Sequence, residues 1–321
     1  MKKAVSIVLI LALLMNCLFS VAALAEEKKP RIVATIFPIY DWVRQIAGDH
    51  LDAIDLTLLL DSGVDLHSFQ PTVQDMVKIT TCDLFLYVGG ESDQWAEDIL
   101  SDPANSSLNV LSLIDALGDD IKEEELVEGM EAEDEEEEAD GEAEADEHVW
   151  LSLRNAEKLT DALCQALMAI DPARADEYLA NAAAYREKLA ALDAQYAEAL
   201  GGAAYQTLLF GDRFPFRYLA DDYGLSYYAA FSGCSAETEA SFQTIVFLAQ
   251  KVNELHLPAV LTIEGAAHRI AETVVSATQE KNQKILALNS MQGVTAAQAA
   301  QGITYLSIME SNLQVLLDAL N

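Results

Sequence analysis

The stretch IDPARADEYLANAAAYREKLAALDAQYAEALGG, residues 170–202, decides the fold because it predicts one long amphipathic helix in the middle of the chain. Asp171 and Pro172 are typical of a helix start, and the two glycines after residue 200 are typical of a helix end. The pattern predicts a single stiff helix over 172–200, about 40 Å long. Its apolar side chains recur at steps of four and three residues: Tyr178, Ala182, Tyr185, Leu189, Leu192 and Tyr196.

Short apolar runs rich in β-branched and aromatic residues lie on both sides of this helix, with helix-like segments between them. Their continuous apolar character is typical of strands buried on both faces of a parallel sheet. We therefore predict an α/β fold of two lobes, each with a mostly parallel four-stranded sheet, joined by the long rigid helix. The runs are RIVATIF (31–37), AIDLTLLL (53–60), CDLFLYVG (82–89), LNVLSL (108–113), YQTLLF (205–210), LSYYAAF (225–231), AVLTIE (259–264) and KILALN (284–289).

The N-terminus has the features of an export signal. A lysine pair precedes an uncharged run over residues 4–24, and Ala-Leu-Ala at 23–25 matches a small-x-small cleavage site. The run is also long enough to span a bilayer as an uncleaved anchor. Cys17 is an alternative lipid-attachment site, although Asn16 stands where a small residue is expected. We predict a signal peptide over 1–25 and an exported protein.

Negative charge is concentrated in one segment of the chain. Residues 119–147 hold 18 Asp and Glu residues against one Lys, a net charge of −17 out of −34 for the whole chain. Like charges repel and there is no apolar periodicity between residues 127 and 147, so a mobile solvated loop is predicted. The predicted domains are a lobe over 26–155 that contains this loop, a helical segment over 156–202 and a second lobe over 203–321.

The charge also limits the partners. Nucleic acids and anionic membrane surfaces repel a chain of net charge −34, so neither is expected as a partner. The acidic segment itself has two interpretations. It is either a solubilising linker or a weak collector that raises the local concentration of cations.

Three cysteines remain after the predicted signal peptide, an odd number at wide spacing. This pattern is neither a disulfide framework nor a CxxC metal site. Cys82, at a strand start, and Cys164, on a helix, are expected to be small core residues. Cys234 lies in a Gly-Cys-Ser turn and is expected to be the reachable cysteine.

Two of the five histidines lie in loops between a strand and a helix. His67 is part of TLLLDSGVDLHSFQPTVQDM (57–76), and His148 is part of DEHVWLSLRNAEKL (146–159). Open α/β sheets bind ligands at the carboxyl ends of their strands, and neutral imidazole is the commonest ligand of zinc. A loop histidine is also often an ordinary surface group, and 81 residues separate these two, so spacing alone does not pair them.

Several segments carry a family resemblance: ATIFPIYDWVRQIAGDH (34–50), GVDLHSFQPT (63–72), DEHVWLSLRNA (146–156), DDYGLSYYAAFSGCSAETEAS (221–241) and LTIEGAAHRIAET (261–273). From Arg31 to Asn321 the chain resembles the metal-binding substrate-binding proteins of bacterial ABC importers, the zinc and manganese receptor family. The resemblance implies two four-stranded α/β lobes joined by a long rigid helix, in agreement with the strand and helix patterns. It also implies a metal bound between the lobes.

The resemblance implies the metal ligands as well. His67 and His148 match the histidines of the family's first two ligand loops. A third ligand, His or Glu, follows the first strand of the C-terminal lobe, and a fourth, often Asp or Glu, comes from a later loop. At the matching positions this chain has Arg213, which cannot bind a metal, and Asn289, a weak neutral donor. The acidic segment takes the place of a His- and acid-rich loop of zinc-type members.

Two acidic residues are candidates to replace the missing ligands. Asp212 precedes Arg213, and Glu264 ends a later strand, with His268 close to it in the sequence. The predicted ligand set is therefore His67, His148, Asp212 and Glu264. Other candidates have ordinary interpretations: Glu237 and Glu239 as a helix start, and His50 and His256 as solvated turn residues.

The residue types favour one metal without excluding others. Two imidazoles completed by one carboxylate suit Zn²⁺, whereas more oxygen ligands would favour Mn²⁺ or Fe²⁺. Arg213 leaves open a chelated metal that carries an anion, because a guanidinium group pairs with carboxylates.

The favoured function is an extracytoplasmic substrate-binding protein that captures a divalent metal, zinc in the first place, for an ABC permease. We expect a monomer. An enzyme is disfavoured because neither an HExxH nor a GxSxG motif occurs in the chain. A metal-binding adhesin without a dedicated permease is the alternative, and the sequence alone does not separate it from a transport protein.

Overall fold

The N-terminal lobe is built on a parallel sheet with strand order β2-β1-β3-β4. The central strands β1 and β3 are buried except for one terminal residue each, which explains their continuous apolar sequence. The computed structural model describes residues 29–101, 108–131, 144–235, 239–265 and 268–321. The elements of this lobe are β1 (Arg31–Ala34), α1 (Phe37–Ala47), β2 (Asp55–Leu58), α2 (Val73–Thr81), β3 (Leu84–Tyr87), α3 (Gln94–Leu100), β4 (Asn109–Ser112) and α4 (Leu113–Leu117).

The C-terminal lobe repeats this arrangement, with strand order β6-β5-β7-β8 and parallel pairing throughout. In both lobes the first strand lies between the second and the third. Because the strands are parallel, their carboxyl ends meet at one edge of each sheet, where loops can form a site. The elements are β5 (Thr207–Arg213), α7 (Arg217–Tyr223), β6 (Ser226–Phe231), α8 (Phe242–Leu255), β7 (Ala259–Ile263), α9 (Arg269–Ala277), β8 (Lys284–Leu288), α10 (Ala296–Ala300) and α11 (Tyr305–Leu320).

Two helices connect the lobes, α5 (Leu153–Ile170) and the 27-residue α6 (Ala175–Gly201). A short 3-10 turn precedes α6, so the long helix begins three residues later than the sequence predicts. The helix contacts both lobes. The Asn181 side chain donates to the carbonyl of Ile46 at 3.0 Å, and the Tyr196 hydroxyl donates to the carbonyl of Met309 at 2.5 Å.

The apolar seam of α6 explains why the helix is held so firmly. All six seam side chains predicted from the sequence are buried. They belong to a single core cluster that includes residues of both lobes. The predicted fold, two four-stranded α/β lobes joined by a long helix, is thus confirmed, and among the described residues no helix is both long and apolar enough to cross a bilayer.

The two ends of the acidic segment are packed, unlike the mobile loop that the sequence predicts over 119–147. Glu123 forms an isolated antiparallel bridge with Ala145, and Glu131 forms a parallel bridge with Phe231 of β6. Acceptors on the C-terminal lobe explain the docking: the Tyr218 hydroxyl accepts from the Lys122 N–H at 3.0 Å, and Lys122 pairs with Asp221. The middle of the predicted loop lies outside the described residues.

Candidate metal centre between the lobes

The structure brings His67 and His148 together. His67 lies in a 3-10 turn, Leu66–Ser68, that is capped by the Asp65 side chain: the His67 N–H donates to Asp65 Oδ1 at 3.1 Å. His148 immediately precedes a second 3-10 turn, Val149–Leu151. The Nε2 atoms of the two imidazoles are 3.1 Å apart. Two residues 81 positions apart in the sequence thus point the same ring atom at one spot.

The other ring nitrogen of each histidine faces a hydrogen-bonding partner. His148 Nδ1 is 3.0 Å from Asp146 Oδ1, which also accepts from the His148 backbone N–H at 2.9 Å. His67 Nδ1 is 2.6 Å from Ser92 Oγ and 3.7 Å from Glu147 Oε2. A carboxylate that accepts from Nδ1–H leaves the lone pair on Nε2, which is how metal-binding histidines are usually oriented.

Both imidazoles are shielded from solvent. His148 is fully buried, and the side chain of His67 is only 5% exposed. Burial, aided by the neighbouring His148 and Arg213 charges and opposed by Asp65, lowers the pKa of His67 to about 3. A neutral imidazole carries the lone pair that a metal ion needs, so His67 is ready to bind a cation at neutral pH.

The loop that carries Ser92 is fixed by Glu147. Glu147 Oε1 accepts from the Ser92 N–H at 2.8 Å, and Gly90 adopts a positive φ of 84° beside it. A Cβ atom at Gly90 would lie 2.5 Å from Glu147 Oε1, so this position requires glycine. The carboxylate that fixes the Ser92 loop beside His67 therefore belongs to the residue directly before His148.

Cys234 places a third potential ligand atom beside the two histidines, and it is not in the ligand set predicted from the sequence. The ligand atoms of His67, His148 and Cys234 all lie within 4.8 Å of one another. Burial, followed by the charges of Glu124, Glu147 and Asp146, raises the pKa of the Cys234 thiol well above its usual range. The signal that could have found it is its position in the loop after β6, at the carboxyl edge of the second sheet.

The two carboxylates predicted as ligands are engaged elsewhere. Asp212 Oδ1 accepts from the Arg213 N–H at 2.9 Å, and its Oδ2 accepts from the Ile263 N–H at 3.2 Å. Glu264 accepts from the backbone N–H of Ser290 at 2.6 Å and from its hydroxyl at 2.8 Å. Neither belongs to the group of described residues whose ligand atoms converge with the histidines.

The two unexpected residues of the C-terminal lobe have structural partners. The Arg213 guanidinium donates to Asp65, the residue that caps the His67 turn, so this ion pair crosses between the lobes. Asn289 Oδ1 accepts from the N–H of Met291, a non-glycine residue at a positive φ of 69°. Arg213 thus carries its charge next to the site but already neutralised by a carboxylate.

The remaining sequence candidates lie outside the centre. His50 pairs with Glu177 at 2.8 Å on the surface, and His256 caps the end of α8. Glu239 is exposed, and Glu237 lies outside the described residues. Cys82 and Cys164 are buried free thiols, as expected for core residues.

Asp93, next to Ser92, is a buried carboxylate within the loop that carries Ser92. It is fully buried, and its Oδ2 accepts from the N–H groups of Val88 and Gly89 at 2.9 and 3.1 Å. Its Oδ1 has no hydrogen-bond partner among the described residues. Burial, with a smaller contribution from Glu147, raises the pKa of Asp93 to about 7.

The raised pKa makes stability depend on pH. The folded protein holds the Asp93 proton more tightly than the unfolded chain, so this stabilisation is complete below about pH 4 and is lost as pH rises through 7. Asp93→Asn keeps an acceptor without the charge. The free energy of unfolding of this variant, minus that of wild type, is expected to rise by up to about 4 kcal/mol as the pH is raised from 4 to 8. Urea unfolding at both pH values measures this gain, with exposed Asp98→Asn as control; an equal difference at both pH values contradicts it.

Two α/β lobes with the same strand order, a long connecting helix and a buried pair of imidazoles between the lobes define a two-lobed binding protein. The chain belongs to the ZnuA family, zinc-uptake complex component A, periplasmic, whose sequence model matches residues 32–319. This family consists of components of an uptake system rather than enzymes, in agreement with the sequence-based expectation.

Individual relatives of the chain are named as zinc-binding or zinc-uptake proteins. The zinc-binding lipoprotein AdcA of Streptococcus pneumoniae serotype 4 is 32% identical over 307 residues, 94% of this chain and 58% of AdcA. The chain therefore spans less than two thirds of that relative. The high-affinity zinc uptake system protein ZnuA of Bacillus subtilis is 29% identical over 302 residues, 92% of this chain and 89% of ZnuA. The Zn(II)-bound ZnuA-like domain of Streptococcus pneumoniae AdcA has a TM-score of 0.70 at 30% identity, covering 91% of this chain and 99% of the domain.

Proposed function

We propose that this protein captures Zn²⁺ outside the cytoplasmic membrane and delivers it to an ABC permease. The observation that carries the proposal is the convergence of two buried imidazoles whose Nε2 atoms are 3.1 Å apart. Imidazole nitrogens are the ligands that zinc commonly takes in proteins. The names of the relatives, a zinc-binding lipoprotein and a zinc uptake protein, support the same metal.

The fold supports capture and release of a bare ion rather than catalysis. His67 and His148 are proposed to hold the metal, with Asp146, Ser92 and Glu147 orienting the rings. The long helix α6 packs against both lobes and limits how far they can move apart. Asp212 and Glu264 remain predicted ligands. To bind a metal they would have to exchange their present hydrogen bonds for it.

The site accommodates a divalent cation although Arg213 is close by. Asp65 pairs with the Arg213 guanidinium, so the positive charge is compensated before a metal arrives. The Asp146 and Glu147 carboxylates, which are 2% and 1% exposed, add negative charge around the two imidazoles. This balance favours a metal cation over the chelated metal with an anion that the sequence left open.

Metal binding by the chain from residue 26, which contains every described helix and strand, tests the proposal. Calorimetric titration is expected to show one Zn²⁺ bound per chain, more tightly than Mn²⁺, because affinities for nitrogen and sulfur ligands rise from manganese to zinc. Tighter binding of Mn²⁺ would reassign the cargo. No binding of either metal would contradict the receptor function.

Delivery to a permease requires a second experiment. A strain that lacks this gene is expected to stop growing in zinc-chelated medium and to recover when zinc is added. Normal growth of that strain would favour the adhesin alternative. Export, with or without a lipid anchor at Cys17, and a monomeric state are the parts of the proposal that were expected from the sequence alone. Cell fractionation tests the export and the anchor, and sizing of the purified protein tests the monomer.

A further inference from the structure

The C-terminal lobe contributes one side chain to the place where the imidazoles meet. Cys234 Sγ lies with the His67 and His148 ring nitrogens in a group whose ligand atoms are all within 4.8 Å of one another. Both histidines belong to loops of the N-terminal lobe, whereas Cys234 follows strand β6. A metal bound by all three would therefore join the two lobes directly.

The Cys234 loop is held against the histidines on two sides. The Cys234 N–H donates to Glu124 Oε1 at 3.1 Å, which ties the loop to the packed end of the acidic segment. At Gly233 a Cβ atom would lie 3.0 Å from His148 Cε1 and 2.9 Å from the carbonyl of Phe214. This position has little room for a side chain, so the loop can run directly against the His148 ring.

The other C-terminal groups near the site have their polar atoms occupied. Asp212 and Glu264 accept hydrogen bonds with both carboxylate oxygens, and Arg213 is a cation paired with Asp65. The sulfur of Cys234 is instead grouped with the two imidazole nitrogens. A good metal-binding side chain, which is missing at the positions of Arg213 and Asn289, is thus present in the Cys234 loop.

We propose that Cys234 is the zinc ligand of the C-terminal lobe, completing a two-histidine, one-thiolate set with His67 and His148. When zinc binds, the thiol S–H bond breaks, its proton passes to solvent and a sulfur–zinc bond forms. Zinc takes nitrogen at about 2.0–2.1 Å and sulfur at about 2.3 Å, which in a tetrahedral site separates two nitrogens by about 3.3 Å. The observed Nε2 separation of 3.1 Å is close to that value.

The thiolate also sets metal preference, and this consequence rests on the proposed zinc function. Mn²⁺ favours oxygen ligands, whereas Zn²⁺ binds thiolate well. A receptor with a sulfur in the third position therefore discriminates against Mn²⁺ more strongly than one with a carboxylate there. The chain thus gains its selectivity from the loop after β6, rather than from the positions of Arg213 and Asn289 where the family resemblance places ligands.

Cobalt is the probe that tests this assignment, because Co²⁺ bound to thiolate shows a charge-transfer absorption in the near ultraviolet. The wild-type chain from residue 26 is expected to show this absorption on Co²⁺ titration and to lose it when Zn²⁺ is added. Cys234→Ser is expected to lack the absorption. Its zinc affinity should fall at least about 10-fold, the lower bound for loss of even an outer-shell partner, with a smaller change for Mn²⁺.

Cys82→Ser is the matched control. The Cys82 thiol donates to the carbonyl of Ile79 at 3.1 Å, and a serine hydroxyl can make the same bond far from the metal group. This variant should keep both the absorption and the zinc affinity. If wild type binds zinc but its cobalt form has no thiolate absorption, the Cys234 assignment is wrong and the receptor function stands. If wild type binds no zinc, both the Cys234 assignment and the receptor function are wrong. The wild-type spectrum is informative even where Cys234→Ser does not fold.

Discussion

Replacement of His148 by alanine is expected to lower zinc affinity more than about 100-fold, because losing a group that merely orients a metal-bound histidine already costs 10- to 100-fold. The His148 Nε2 atom lies 3.1 Å from the same atom of His67, and Asp146 accepts from the other ring nitrogen. Alanine removes the ligand atom and leaves the Asp146 carboxylate without its partner. His67→Ala is expected to have a similar effect, and calorimetric titration with Zn²⁺ measures both.

His50→Ala serves as the control for the loss of one imidazole. His50 is partly exposed and pairs with Glu177 at 2.8 Å, so its removal should leave zinc affinity unchanged. Far-ultraviolet circular dichroism and thermal unfolding show whether each variant is folded, since His148 is fully buried. A folded His148→Ala protein with the zinc affinity of wild type would remove this residue from the site.

Trp150→Ala is expected to lower the free energy of unfolding by about 3–5 kcal/mol, the usual loss when a buried tryptophan leaves a cavity. The Trp150 ring is fully buried, and its Nε1–H donates to the carbonyl of Ser290 in the C-terminal lobe at 2.9 Å. Its own carbonyl accepts from the Tyr305 hydroxyl at 2.7 Å. The residue thus packs the His148 loop onto the opposite lobe.

Urea unfolding measures this loss, and two variants separate its causes. Trp150→Phe keeps most of the ring volume but leaves the Ser290 carbonyl unpaired, so it should lose less stability than the alanine variant. Phe242→Ala removes an aromatic ring that is 82% exposed and should change stability by less than about 0.5 kcal/mol. Equal stability of Trp150→Ala and wild type would mean that Trp150 does not help to hold the two lobes together.

The fold could be predicted from the sequence because its signals are local. Seven of the eight apolar runs contain a whole strand, and the run at 205–210 contains the start of β5. The seam that starts at Tyr178 and ends at Tyr196 marks the helix between the lobes. Backbone pairing and burial act on these segments in the same way wherever they lie in the chain. The start of α6 was the exception, because Pro172 begins a 3-10 turn rather than the helix itself.

Half of the candidate site could also be anticipated. His67 and His148 lie in loops after strands, and the family resemblance pairs them, although their spacing does not. Asp212 and Glu264 show why the other half was harder to predict. Their partners, the N–H groups of Ile263 and Ser290, belong to other strands and loops, so the sequence does not reveal that these carboxylates are engaged.

The sequence by itself determined the two α/β lobes and the long helix, since these follow from short-range patterns of apolar residues. It also placed one histidine in each of two loops, which only the family resemblance pairs. Only the tertiary structure decided what surrounds those histidines. It placed Cys234 beside them, paired Arg213 with Asp65, and packed the ends of the acidic segment on the C-terminal lobe. These contacts join segments far apart in the chain, so they depend on how the lobes meet and leave no local pattern in the sequence.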